Sequence, residues 1–380
     1  MGINLAMLGA KLKKYRDQLQ ESVAEVGART GIDAGRLERI EAGAVEPTGD
    51  EILILADHFQ CDFKFFISNE RGAPFEQTDA LYRAHGQDFT KADRRAVQEF
   101  LYLCETEAFL MTELGRSTSE FVFVPQGTFM KAHGEEAANA LRAAHGYGDH
   151  EVPRDVYDEF RKAGVHLFRR HLGNSDISGL FINHPVAGKC ALVNYSEDVY
   201  RQRFSAAHEM AHAIFDADEQ ASVSYNSPRG KDLREVRANR FASCFLMPTA
   251  FLSSLPAPRR WSDQDAVNWA SKLRVSCHAL GIALREAQLV DDFRSQQVQQ
   301  LRVPRDSKID PELPEGLTEV QRERKARLLQ LGLSDFYVGL CFDAWKEGVI
   351  SVGRLAEALL SSPAELAGLA SLYGRSLHGH

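Results

Sequence analysis

Two histidines four residues apart inside an apolar helical stripe restrict this chain more than any other feature. The run is Arg203-Phe-Ser-Ala-Ala-His-Glu-Met-Ala-His-Ala-Ile-Phe215. Residues at i and i+4 stand one above the other on a helix, so the imidazoles of His208 and His212 share a face and can reach one metal ion. Glu209 sits one step round, placed to act as a base on water at that metal without binding the ion itself. Phe204, His208, Ala211, His212 and Phe215 fall at i, i+4, i+7, i+8 and i+11, so the histidines turn inward with the apolar stripe. An ordinary helix with two surface histidines fits that stripe poorly. Inward neutral imidazoles need polar partners, and one shared metal supplies them. The spacing predicts a buried helix with two metal ligands and a general base, a combination suited to hydrolysis.

Zinc in such a site takes a third protein ligand and keeps the fourth position open. One known arrangement, that of the metzincins, would place it six residues after His212, at Asp218. That arrangement needs Gly three residues after the second His, where this chain has Phe215. A second helix, Asp232 to Pro248, offers the alternative. On it Glu235, Asn239, Ala242 and Leu246 share a face while Arg234 and Arg237 lie off it. A Glu aligned with the apolar side of its helix is expected to be bound to something; a pairing with a neighbouring arginine is the competing assignment.

Arg-Gln-Arg-Phe-Ser-Ala-Ala-His-Glu-Met-Ala-His, followed by Glu235-x-x-x-Asn239-x-Phe241-Ala242-x-x-x-Leu246-Met247-Pro248, resembles the ImmA/IrrE family of metallopeptidases. Upstream, Val156 to Phe168, Ile177-Ser-Gly-Leu180 and Ala191-Leu-Val-Asn194 are similar to that family's helix and strands before the zinc helix. Leu273 to Leu280 and Leu284 to Val290 resemble the small helical unit that follows it. The resemblance implies one Zn2+ per chain held by His208, His212 and Glu235, with Glu209 as general base. It also implies a narrow protein substrate, an XRE-type repressor or antitoxin, whose cleavage derepresses stress, defence or mobile-element genes. The alternative class is a non-catalytic DNA-binding regulator or antitoxin with a structural zinc. Glu209 separates the two, because a structural site needs ligands and no base. Tyr225, close in sequence, is the candidate for stabilising the oxyanion.

Residues 5–67 read as a helical bundle. Leu8, Leu12, Tyr15 and Leu19 line a first helix; Ser22-Val-Ala-Glu25 is a capping box opening a second that stops at Gly31. Asp33 caps a third, and Thr48-Gly-Asp-Glu51 opens a fourth. Thr30-Gly-Ile-Asp and Arg39-Ile-Glu-Ala-Gly43 resemble the XRE-type helix-turn-helix, whose third helix enters the major groove. Base readout favours Gln, Asn, Ser or Arg at the start of that helix; here stand Ala34, Gly35, Arg36 and Glu38. Val23 replaces the usual phosphate-contacting Gln. Residues 1–70 carry eight Lys and Arg against twelve Asp and Glu, a net charge of −4, where phosphate binding wants a basic face. Lys13, Lys14, Arg36 and Arg39 are the candidate DNA contacts, and pairing with another protein is the competing use.

The chain is expected to be a mainly α, multi-domain protein. An all-α helix-turn-helix bundle (1–70) is followed by a linker and connecting helix (71–118), with Gly72-Ala-Pro74 as the linker. An α+β zincin-like metallopeptidase domain with a small sheet (119–300) comes next, then a linker and helical C-terminal tail (301–380). The break before the tail is placed at Arg302 to Gly316. A helix over 90–114 is expected to be a spacer, and Trp345 to Leu355 a helical hairpin for dimerisation or partner docking. A fused protease calls for a latent state, with residues 90–115 and 318–374 gating the cleft. Apolar residues make up 44% of the 380, enough for buried cores, and no run reaches the length of a membrane span. With no basic-then-apolar leader at the start, the expected location is cytoplasmic. The six cysteines form no C-x-x-C pair and read as incidental thiols. His378 and His380 are too sparse for a metal site.

Overall fold

The computed structural model describes residues 3–61, 63–68, 76–116, 118–226 and 232–377; the Gly72–Pro74 linker and His378–His380 lie outside them. The first unit is the expected helical bundle: α1 (Leu5–Gln18), α2 (Val23–Thr30), α3 (Ala34–Glu41), α4 (Gly49–Phe59) and α5 (Phe63–Ile67). Both capping boxes form, Ser22 with Glu25 and Thr48 with Glu51, and Asp33 caps α3 through the Arg36 amide. Gly31 ends α2 with φ +75°, the left-handed turn that glycine adopts without strain. Leu8, Leu12, Tyr15, Leu37, Ile40, Leu55 and Phe59 fill its core.

After α6 (Glu76–His85), the long α7 (Lys91–Glu113) carries the bundle on its N-terminal half. The join is polar. Arg94 donates to the Gln18 carbonyl at 3.0 Å, and Arg95 donates to the His58 carbonyl at 3.1 Å and to Glu21 at 3.0 Å.

The middle of the chain runs α8 (Met130–Ala144), α9 (Val156–Lys162), β1 (His166–Arg170), β2 (Ile177–His184), β3 (Gly188–Asn194), α10 (Val199–Phe215), β4 (Ala221–Tyr225) and α11 (Leu233–Leu246). The strand order is β1-β3-β2-β4, with β1 parallel to β3 and the other pairs antiparallel. Strand alternation sends Leu167, Phe181, Ala191 and Val193 to one core with α9, α10 and α11. Phe168, Leu180, Ile182, Cys190 and Leu192 go to the opposite core. A register irregularity between Ile177 and Gly179 marks the end of β2 nearest α10.

The chain continues through α12 (Thr249–Ser254), α13 (Asp263–Leu273), α14 (Cys277–Glu286) and α15 (Asp292–Gln300), which close the first core. Then come α16 (Glu319–Leu329), α17 (Asp335–Lys346), α18 (Val352–Ala358) and α19 (Leu366–Leu372). This last stretch is where structure and expectation part. Tyr337, Phe342, Leu355, Leu359 and Leu366 pack with Phe100 and Leu103 of α7 on the second face of the sheet. Phe168 is ringed by Phe100 at 6.1 Å and Tyr337 at 5.4 Å. The segments read as spacer and tail therefore share one core with the sheet. The α17–α18 hairpin turns at Gly348 (φ +75°) as its sequence suggests, but its apolar face is covered within the chain. Deleting residues 318–377 is therefore expected to yield insoluble or proteolytically labile protein, because it removes much of the core that the second face of the sheet shares with α7. A soluble truncation with an unchanged melting temperature would contradict this.

Candidate metal centre

Asp198 caps α10 through the Tyr200 amide and Asp232 caps α11 through the Arg234 amide, fixing where each helix starts. The two helices lie side by side. Behind α11, Gly134 of α8 lets the backbones close up: a Cβ there would stand 2.4 Å from the Arg237 carbonyl oxygen. This packing brings Glu235 against both histidines. His208 Nε2 and His212 Nε2 are 3.2 Å apart, and each is 3.3 Å from a Glu235 oxygen. A tetrahedral zinc with bonds of about 2.0–2.1 Å has ligand edges of about 3.3 Å. The separations among the two Nε2 atoms and the two Glu235 oxygens therefore suit such an ion.

The rest of each imidazole is held. His208 Nδ1 pairs with Asn239 Oδ1 at 3.1 Å, and His212 Nδ1 with Asp216 Oδ2 at 2.8 Å. Asp216 in turn accepts from Arg237, whose guanidinium lies 4.3 Å over the Phe215 ring. Such partners fix the tautomer that aims Nε2 at a metal. Burial works to lower the pKa of His212, but Asp216 and Glu235 outweigh it and push it up to about 10. Burial would likewise raise the Glu235 carboxyl, and the two imidazoles reverse this and hold it well below the usual range. The donor set thus favours positive charge between its members.

Glu209 is wholly buried, and neither carboxylate oxygen makes a hydrogen bond of ordinary geometry among the described residues, although the Ser224 hydroxyl stands close enough to favour its charged form. Burial, the largest influence, pushes its carboxyl above the ordinary range against the pull of His212 and His208. Its room comes from Gly179, where a Cβ would stand 2.6 Å from Glu209 Oε1 and 2.8 Å from the Leu192 carbonyl oxygen.

Residues 160–285 match the family model described as the IrrE N-terminal-like domain, of peptidase family M78, and residues 7–62 match one described as a helix-turn-helix domain. The chain joins a helix-turn-helix domain to an IrrE-like domain. No curated protein matches it. Among solved structures, the crystal structure of Bacillus thuringiensis PlcR in complex with the peptide PapR7 and DNA is similar, at 10% identity over 97% of each chain. Its TM-score of 0.17 carries no argument about this chain.

In the IrrE-like domain the centre opens into a cleft of about 810 Å³, lined by His208 and Glu235, by Ser178 and Ser224 of the sheet, and by residues 276–279 and 301–303. Edge strand β4 forms one wall. Neither α7 nor any residue of 318–374 lines it, so the gating expected of those segments has no contact with the cleft to work through.

Asp218, the metzincin-like candidate, is exposed and outside the donor group, which consists of His208, His212 and Glu235. Tyr225 lines the cleft, but its hydroxyl is engaged away from the centre, meeting Asp88 Oδ2 at 2.8 Å and His85 Nδ1 at 2.9 Å, and its ring packs on the second core. Asp216 and the role of Asn239 escaped the sequence reading. Both stand four residues beyond a ligand candidate, His212 and Glu235 respectively, a spacing that could have flagged them.

In the helix-turn-helix domain, Arg36 forks onto Glu51, with Nη2 to Oε2 at 2.8 Å. Lys14 pairs with Asp79 of α6 at 2.5 Å. Lys13 is exposed on α1, and Arg39 is exposed on α3, donating to the Gly35 carbonyl at 3.3 Å.

A Gly179→Ala variant is expected to bind metal normally and to lose about tenfold to a hundredfold in hydrolysis, because the added methyl must displace Glu209. Metal analysis alongside peptide cleavage checks this; unchanged cleavage would show that Glu209 has slack.

Proposed function

We propose that this chain is a zinc-dependent endopeptidase that cuts a regulatory protein, an XRE-type repressor or antitoxin, in one exposed segment. The observation that carries the reading is Glu209, a buried carboxylate with no hydrogen bond of ordinary geometry, beside three convergent metal-ligand donors. Leaving such a group unsatisfied costs stability, and a base awaiting water and substrate accounts for it. A structural zinc would need the donors and not the base, which disfavours the non-catalytic alternative.

When bound at His208, His212 and Glu235, zinc would polarise the scissile carbonyl and acidify water. The chain's own groups do the rest. Glu209 takes the proton from the attacking water and delivers it to the leaving amine. Asn239 and Asp216 keep the imidazoles in register. The outer edge of β4 offers backbone groups for an extended substrate strand, so the cut segment lies beside the centre in a fixed direction. The test is to incubate the zinc-loaded full chain with a panel of XRE-type repressors and antitoxins from the same cell and identify the fragments by mass spectrometry. A single cut, absent with Glu209→Gln, supports the reading; an intact regulator with no cut in any supplied protein overturns it.

DNA binding by the helix-turn-helix domain fits as a recruiting function of modest strength. Arg36 is neutralised by Glu51, and the exposed part of α3 is Gly35, Glu38 and Arg39. We expect the full chain to bind duplex DNA with Kd of about 1–100 μM at physiological salt, weakening steeply as salt rises. Nanomolar binding to one operator in a gel-shift or anisotropy titration would promote the transcription-factor role.

A further inference from the structure

The stretch from Leu301 to Glu312, most of it within the break read from the sequence at Arg302 to Gly316, runs along one wall of the cleft as a strap. At its far end Arg169, a buried guanidinium on β1, binds Asp310 at 2.7 and 3.1 Å and Glu312 at 2.5 Å, and also reaches Gln202 of α10 at 3.1 Å. Nearer the cleft, Lys308 pairs with Asp198 at 2.5 Å, at the cap of the ligand-bearing helix. The strap is thus tied to the sheet and to α10, and it presents Leu301, Arg302 and Val303 to the cleft.

The cations along this wall differ in how they are matched. Arg201 is held by Glu197 at 2.9 Å and by the Asn226 side chain at 2.6 Å. Lys308 has Asp198. Among the described residues the Arg302 side chain has neither hydrogen bond nor ion pair, and His278 beside it has none either. Burial, then the charges of Arg201 and Arg302, lower the pKa of the His278 imidazole, which lines the cleft with both arginines. One unmatched guanidinium in the cleft of a chain with net charge −8 is a local reversal of sign.

We infer that Arg302, an exposed guanidinium on the strap that walls the cleft, selects a substrate segment bearing an acidic side chain a few residues from the cleaved bond. The inference rests on the peptidase reading of the cleft. Arg302 and Arg201 both act on His278, and Arg201 lies seven residues before His208, two turns along the same helix face and about 10 Å away, so we take that distance for the Arg302 subsite. An extended peptide advances about 3.3 Å per residue, which places the acidic side chain about two to four residues from the scissile bond. Phe204, Val236, Ile282, Leu301 and Val303 line the same cleft, so apolar neighbours accompany it. A guanidinium gives a planar fork to a carboxylate and repels Lys or Arg at that position.

The test uses the zinc-loaded full chain and a positional-scanning library of quenched fluorescent peptides. Asp or Glu is expected to be preferred at least tenfold over Lys at one position two to four residues from the cut. Arg302→Glu should invert that ratio and Arg302→Lys should preserve its direction. In a second arm, a labelled acidic peptide of the preferred sequence and its lysine counterpart are titrated into zinc-loaded Glu209→Gln protein and followed by anisotropy. The acidic peptide should bind at least tenfold more tightly, and adding Arg302→Glu should abolish the difference. Equal cleavage and equal binding of the two peptides, or a preference that survives Arg302→Glu, would overturn the inference. Selective binding of the acidic peptide with no hydrolysis by wild-type protein would keep the basic subsite and sink the peptidase reading instead.

Discussion

Glu209→Gln is expected to keep a full equivalent of zinc, lose at least a hundredfold in peptide hydrolysis, and melt no lower than the parent when both are metal-free. The three outcomes follow from one geometry. Gln has the shape of Glu and leaves the donor group of His208, His212 and Glu235 untouched. It cannot accept the proton of the attacking water, and a positioned general base is worth about 10²–10⁴ in rate. The parent buries a carboxylate with no hydrogen bond of ordinary geometry to either oxygen, and a neutral amide relieves part of that cost, about 1–3 kcal/mol for an unsatisfied buried group. Metal analysis, cleavage kinetics and calorimetry in chelator check each point separately. Retained hydrolysis would remove Glu209 from the mechanism even if the protein proved to be a peptidase.

The second large effect concerns the ligands. Zinc affinity should collapse in His208→Ala, His212→Ala and Glu235→Ala, each of which deletes one member of a donor group with separations of 3.2–3.3 Å. Asn239→Ala and Asp216→Ala should retain the metal and weaken it about tenfold to a hundredfold, since these residues orient the imidazoles. Asp218→Ala, on an exposed turn, should bind as the parent does. Competition with a chromophoric chelator ranks the series. Should Glu235→Ala hold zinc fully while Asp218→Ala loses it, the third ligand has been misassigned.

What was legible in the sequence has a common property: it depends on residues within about one helical turn of each other. The capping boxes at Ser22 and Thr48, the left-handed stop at Gly31 and the shared face of His208 and His212 are set by local backbone geometry, and each forms as the spacing predicts. The alignment of Glu235 and Asn239 on one face of α11 was readable in the same way. That this face meets α10 was not, because the meeting depends on the close approach of α8 at Gly134, a hundred positions away in the chain.

Tertiary packing alone decided the rest. The helix of residues 91–113 looks like a spacer because its apolar positions name no partner; the sheet and α17–α19 supply one. The strands are covered on both faces, because α7 and α17–α19, far apart in the chain, fold onto the second face. Lysines and arginines of the first seventy residues counted as free charge until Glu51 and Asp79 were seen against them. The Pro- and charge-rich stretch after residue 301 resembles a linker in composition, yet Arg169 fixes it to the sheet and makes it a wall of the cleft. Sequence by itself pointed to the candidate metal-ligand residues and to the helices that hold them. Only the folded chain decided what those helices face, because contacts between distant segments follow from complementary shape and charge and leave no periodic mark in the order of residues.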